Sequence, residues 1–209
     1  MSITLQWLGH ASFKIVSGDS VIYIDPWKLE DADHDGTLIL VSHSHYDHYS
    51  VEDIGKAVSG DWEFIATADV VQGYGAGDVI RPGETREFDG GKVTAVAAYN
   101  TNKEFHPKES EWVGFIIELD GKKIYYAGDT DITEEMSGLT DIDLALLPVG
   151  GTYTMTAAEA AAATAKFQPR KALPYHWGDI VGRQNDADKF KQEASGEVVV
   201  LQPGETMGV

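Results

Sequence analysis

Residues 41–50 read VSHSHYDHYS and contain His43, His45 and His48, three of the seven histidines of the chain, with Asp47 between the last two. Imidazole nitrogen and carboxylate oxygen are the donors that transition metals take from proteins. Side chains two apart in an extended chain project to the same side, so His43 and His45 are placed to grip one ion together. Asp47 and His48 fall where the chain turns, within reach of a neighbouring ion. The chain has no cysteine, which excludes disulfides and thiolate ligands and leaves only nitrogen and oxygen donors. Zinc is the first expectation for such a set, with manganese, iron and nickel as alternatives. The cluster by itself cannot close a site, so residues distant in sequence must complete it.

The elements that would position these groups are short strands. Ile3–Leu8, Ser12–Val16 and Val21–Ile24 are apolar and β-branched, and are separated by Gly9-His10 and Ser17-Gly18-Asp19. Thr37–Val41 is a continuous apolar run that suits a strand buried on both faces and delivers its end to the histidine cluster. Ser50 opens a helical stretch with Asp53 as capping partner. Further strands are expected near 63–67, 79–80, 87–88, 93–98, 112–119, 122–127, 142–147, 171–174 and 197–201, with Asp120-Gly121 as a hairpin turn. Thr156-x-x-Glu159 is a capping box ahead of a helix over 157–167, and 186–194 also reads as helix. Two stretches echo each other: VIYIDPW (21–27) and KIYYAGDTD (123–131) both run strand-first into an aspartate. The pattern implies an α/β (α+β) chain folding as one domain over 1–209. Its similar halves, roughly 1–110 and 111–209, pack two sheets face to face with helices outside.

Asp129 follows the strand at 122–127 in a Gly-Asp-Thr turn, where a carboxylate is exposed at a strand end. His176 follows an apolar strand and precedes Trp177-Gly178. With HSHYDH they complete an ordered set: WLGHASF (7–13), IDPW (24–27), HSHYDH (43–48), AGDTD (127–131), LLPVGG (146–151) and PYHWGD (174–179). In this order the motifs resemble the metallo-β-lactamase superfamily, and within it the branch of L-ascorbate-6-phosphate lactonase-like proteins and other metal-dependent hydrolases. The resemblance implies an αββα four-layer sandwich. It implies His43 and His45 on a first metal, Asp47, His48 and His176 on a second, and Asp129 bridging both. The superfamily usually supplies a third histidine to the first metal from the middle of the chain. Here Asn100 stands near that place and His106 is the next histidine. Both remain candidates, and His106 is preferred because neutral imidazole is the better ligand. His10 and Asp25 lie in matching segments. Asp25 is expected to accept the N–H of a ligating histidine and fix its tautomer. His10 is expected beside the metals, supporting them or touching substrate. Tyr46, Tyr153 and Trp177 are candidate pocket walls.

The chemistry implied is hydrolysis at two ions about 3.5–4 Å apart, which acidify water and polarise the bond under attack. Asp47, Asp129 and His10 are the catalytic candidates, and a small ester, lactone or related molecule is the expected substrate. Alternatives are a phosphodiesterase or phospholipase and a non-catalytic metal sensor. The formal charge of −18 and pI of about 4.6 disfavour nucleic acid and anionic membrane as partners. A signal peptide and a membrane-spanning segment are not expected. A cytoplasmic location is therefore the default, with a homo-oligomer left open.

Overall fold

The computed structural model describes residues 2–30 and 33–209. Its strands form two seven-stranded sheets. The first contains β1 (Ile3–Gly9), β2 (Ser12–Ser17), β3 (Ser20–Ile24), β4 (Gly36–Val41), β5 (Val58–Ala66) and β6 (Asp78–Val79). The second contains β7 (Thr85–Phe88), β8 (Gly91–Ala97), β9 (Val113–Leu119), β10 (Lys122–Tyr126), β11 (Leu144–Pro148), β12 (Lys171–Tyr175) and β13 (Glu197–Val198). The last strand, β14 (Thr206–Gly208), returns to the first sheet and pairs with β1. The sheets part between Val79 and Thr85, earlier than the midpoint near residue 110 suggested by sequence. The reason is local: β7 and β8 form a hairpin through Asp89-Gly90-Gly91, and β8 pairs along its whole length with β9. Among the described residues five α-helices accompany the sheets: α1 (Val51–Ala57), α2 (Ala68–Tyr74), α3 (Glu134–Ser137), α4 (Ala157–Phe167) and α5 (Gln184–Glu193). No helix among the described residues is long and apolar enough to cross a membrane.

Strand periodicity explains how the layers are filled. On β3 and β4, Ile22, Ile24, Leu38 and Leu40 join the large core that both sheets share. Their neighbours Val21, Tyr23, Ile39 and Val41 project to the other face and pack with Ile54 and Ala57 of α1 and Val70 of α2. Alternate side chains of a strand face opposite ways, so strands apolar at every position are covered on both sides. Trp7, Phe13, Phe115 and Tyr126 are wholly buried in the shared core, and each such side chain contributes about 1.5–3 kcal/mol of burial free energy. The helix starts follow their capping signals. Ser50 accepts from the Asp53 amide at 3.2 Å, and Thr156 and Glu159 form the reciprocal capping box.

The two sheets repeat one plan. β3 pairs antiparallel with β2 and parallel with β4. β10 pairs antiparallel with β9 and parallel with β11. The echoing stretches therefore occupy equivalent strands, and Asp25 and Asp129 emerge at corresponding strand ends. In parallel sheets the loops after the carboxyl ends of strands are where functional groups gather. Here they follow β3, β4, β8, β10, β11 and β12, all at one edge of the sandwich.

Candidate metal centre

The loop after β4 brings His43, His45, Asp47 and His48 to this edge. His48 folds back because its amide and that of Tyr49 both donate to the His45 carbonyl, at 3.0 and 2.9 Å. The loop after β8 brings His106 to His43 and His45, and each of the three has a ring nitrogen within 4.8 Å of the others. His10, Asp47, His48 and His176 form a second group by the same measure. The Asp129 carboxylate lies between the groups. Its Oδ1 is 3.3 Å from His48 Nε2, and its Oδ2 is 3.2 Å from both His106 Nε2 and His176 Nε2. Every sequence-predicted ligand thus converges on one place, and His106 rather than Asn100 joins the first group.

Asn100 stands behind His106. Its Oδ1 accepts the His106 amide at 3.0 Å and lies 3.1 Å from His106 Nδ1, while its own amide donates to the His106 carbonyl at 2.8 Å. With Nδ1–H donating to the Asn100 carbonyl oxygen, the lone pair of His106 stays on Nε2, which faces Asp129. Asp25 does the same work for His48 and His43. Its Oδ2 accepts from His48 Nδ1 at 2.7 Å, from Ser42 Oγ at 2.5 Å and from the Tyr126 hydroxyl at 2.6 Å, and its Oδ1 accepts the Ser42 amide at 2.7 Å. Ser42 Oγ is also 2.9 Å from His43 Nδ1. One buried carboxylate therefore sets the tautomers of His48 directly and His43 through a hydroxyl, in the manner of the outer partners of metal-binding histidines. His48 is consequently held between Asp25 and Asp129, the two aspartates at equivalent strand ends.

His10 Nε2 lies 3.0 Å from Asp47 Oδ2. Its backbone is left-handed, with φ of 45°, and is pinned where its carbonyl accepts from Trp7 Nε1 and the His176 amide at 3.1 and 3.0 Å. Sequence reasoning missed Ser42, Tyr126 and Trp112. The Trp112 ring centroid is 4.9, 4.7 and 5.6 Å from those of His43, His45 and His106, and its Nε1 is anchored to Asp69 at 2.8 Å. Ser42 and Tyr126 lie within the stretches quoted above, but a hydroxyl at or just past a strand end carries no sign that it meets an aspartate. Tyr46 and Tyr153 do line the pocket at the centre. Trp177 does not: it packs on Trp7 with ring centroids 5.0 Å apart and lines a separate hollow of about 730 Å³ that shares only His10 with the centre.

The electrostatics are those of a cation site. Burial works to raise the Asp129 carboxyl, but the neighbouring His176 and His48 outweigh it and hold it well below the usual carboxylate range. Burial works to lower His48, and Asp129 and Asp25 overcome it and push the imidazole well above its ordinary value. His43, His45 and His10 are lowered, chiefly by burial. Asp47 is lowered because its His10 hydrogen bond and the nearby His48 outweigh its burial. His48 Nε2, His106 Nε2, His176 Nε2 and Asp129 Oδ1 are buried without a hydrogen-bond partner. Each such group costs about 1–3 kcal/mol when left unmatched. Several unmatched donors and acceptors aimed at a common point fit a divalent cation, which neutral imidazoles and carboxylates bind.

Comparison with known proteins agrees with this geometry. The family described as the beta-lactamase superfamily domain matches residues 4–176. A UPF0173 metal-dependent hydrolase of Thermococcus onnurineus is 36% identical, over 98% of this chain and 99% of its own. Among solved structures, a metallo hydrolase of Ignicoccus hospitalis superposes with a TM-score of 0.81 at 25% identity, covering 100% of this chain and 99% of that one. The metallo-beta-lactamase fold protein YhfI of Bacillus subtilis, at 14% identity and a TM-score of 0.80 over the whole of both chains, shows the same fold.

Proposed function

The chain belongs to the beta-lactamase superfamily and is a metal-dependent hydrolase, and from that premise we propose that it holds two divalent ions and hydrolyses a small ester or lactone. His43, His45 and His106 would hold one ion, and Asp47, His48 and His176 the other, with Asp129 shared. The observation that carries this reading is the Asp129 carboxylate lying 3.2–3.3 Å from unmatched nitrogens on three different histidines. Zinc is the first choice for this donor set.

Divalent ions bound there would supply Lewis acidity, acidifying water and polarising the oxygen of the bond under attack. The chain's own residues would do the rest. Asp47 is ionised and aimed by His10, so it accepts a hydrogen bond from an attacking water and orients it. His10, lowered by burial, is neutral and donates its Nε2–H to the Asp47 carboxylate at 3.0 Å, so it positions Asp47. Asp25 and Asn100 keep the lone pairs of His48, His43 and His106 directed inward. The net charge of −18 keeps polyanions away from the rim and favours small substrates over nucleic acid.

A hydrolysis panel of esters, lactones, amides and phosphodiesters, run with and without chelator, tests the reading. Turnover of esters or lactones should vanish on chelation and return with added zinc. Hydrolysis indifferent to chelator, or confined to phosphodiesters, would overturn it.

A further inference from the structure

The pocket opening on the candidate centre has a volume of about 220 Å³. Its floor is the His45, Asp47, His106 and Asp129 already described, and its walls are Tyr46, Phe105, Tyr153 and Ile180. Among the described residues lining it there is no lysine or arginine. The loop that carries Phe105 and His106 does hold two cations, but both are turned elsewhere. Lys103 binds Asp131 at 2.5 Å, and Lys108 binds Glu135 at 3.2 Å. Tyr46 and Phe105 are 68% and 48% exposed, two of the three large hydrophobic side chains among the described residues that stand out into solvent. Exposed apolar rings gathered at the mouth of a concave site mark a binding surface rather than ordinary scatter.

These walls are also held in place. The Phe105 and Tyr153 rings meet edge to face, with centroids 4.8 Å apart at 89°. Asn100 Nδ2 donates to the Tyr153 carbonyl at 3.0 Å, so the residue that orients His106 also fixes this wall. Tyr46 leans on Trp27 with centroids 6.1 Å apart at 73°. An apolar cavity of roughly 150 Å³ accepts a benzene-sized ligand. The pocket therefore has room for one ring and the bond to be cut.

We infer that the substrate carries an uncharged apolar, ring-sized group beside its scissile bond, seated between Tyr46, Phe105, Tyr153 and Ile180, and that a phosphorylated or carboxylated group at that place is rejected. This rests on the hydrolase reading above and gives it a substrate class. At the walls an anionic group would lie against rings and Ile180 with no lysine or arginine beside it, and ions held at the floor would be engaged by the scissile group instead. The polar moieties of a sugar phosphate would likewise find few partners on these walls.

The test uses benzyl acetate, its para-carboxy derivative, and the ketone isosteres of both, in which methylene replaces the ester oxygen. Equilibrium binding of the ketones to the purified chain is measured by calorimetry, and ester turnover is followed with and without chelator. The neutral ketone should bind at least about tenfold more tightly than the carboxylated one, and the ester kcat/KM values should follow that order. Phe105→Ala should shrink the ratio, and Phe105→Lys should reverse it toward the carboxylated ligand. Phe105 is half in solvent, so neither change threatens folding. Equal or tighter binding of the carboxylated ketone by the unaltered chain overturns the inference. Ketone binding in the expected order with no chelator-sensitive ester turnover upholds the pocket assignment and counts against the ester chemistry instead.

Discussion

Replacing Asp25 by Asn isolates what a single buried carboxylate does for the centre. The side chain is wholly buried and its backbone sits at φ of 45°, a region that Asn tolerates as well as Asp. Shape and backbone are therefore preserved, and only the charge and one acceptor are lost. Asp25 accepts four hydrogen bonds, from His48, from Tyr126 and twice from Ser42. Whichever way the amide turns, its NH₂ faces at least one buried donor. With the NH₂ on the Ser42 amide, an unmatched buried donor costs about 1–3 kcal/mol and the three remaining bonds lose roughly 1 kcal/mol each with the charge, so destabilisation of about 4–6 kcal/mol is expected. The His48 and His43 tautomers are no longer enforced, and metal affinity should fall about 10- to 100-fold. Denaturant unfolding gives the first quantity, and competition for zinc against a chromogenic chelator gives the second. Wild-type metal affinity in a destabilised Asp25→Asn chain would refute the tautomer argument and leave Asp25 a structural role only. Wild-type values of both would refute the whole of it.

Three further outcomes follow from single contacts. Asn100→Ala removes the acceptor of His106 Nδ1 and the donor to Tyr153, so zinc affinity at the first group should drop by about tenfold or more, and unchanged competition curves would contradict it. A Cβ at Gly150 would lie 2.5 Å from the His176 carbonyl oxygen and 2.9 Å from its Nδ1. Gly150→Ala should therefore shift His176 and lower metal content, and a fully loaded variant would show that the loop yields without effect. Burial raises the Tyr23 hydroxyl, Lys14 opposes and Asp35 reinforces, taking it to about 12 from about 10. The folded chain then keeps a proton that the unfolded chain releases, so this contribution is intact below about pH 10 and is lost as pH rises toward 12. Tyr23→Phe should flatten the alkaline fall in unfolding free energy, and an identical slope would exclude Tyr23 as a source.

Strands and caps with strong local signals were legible in the sequence. The apolar runs of β3 and β4, the Asp120-Gly121 turn and the Thr156–Glu159 box needed no tertiary help. Segments whose structure depends on partners were not. α2 begins at Ala68, and Thr67 before it makes no side-chain cap, while β14 is three residues that become a strand only by pairing with β1. The expected strand at 197–201 stops at Val198. At the site, metal-type side chains stood out by spacing because their chemistry is rare elsewhere. The choice of His106 over Asn100 was a matter of ligand strength in the sequence and becomes a matter of position in the fold, where the two are partners. Ser42, Trp112 and the apolar wall of Phe105 and Ile180 had no signal, since hydroxyls and rings are common and only the fold brings these to the centre.

Metal content measured on the purified chain, by elemental analysis after reconstitution with zinc and removal of excess, bears most directly on the shared-carboxylate centre. A ratio of about two ions per chain is expected, falling sharply in Asp129→Ala because one carboxylate serves both positions. A chain that binds no ion, or an Asp129→Ala variant that keeps the full complement, would contradict it.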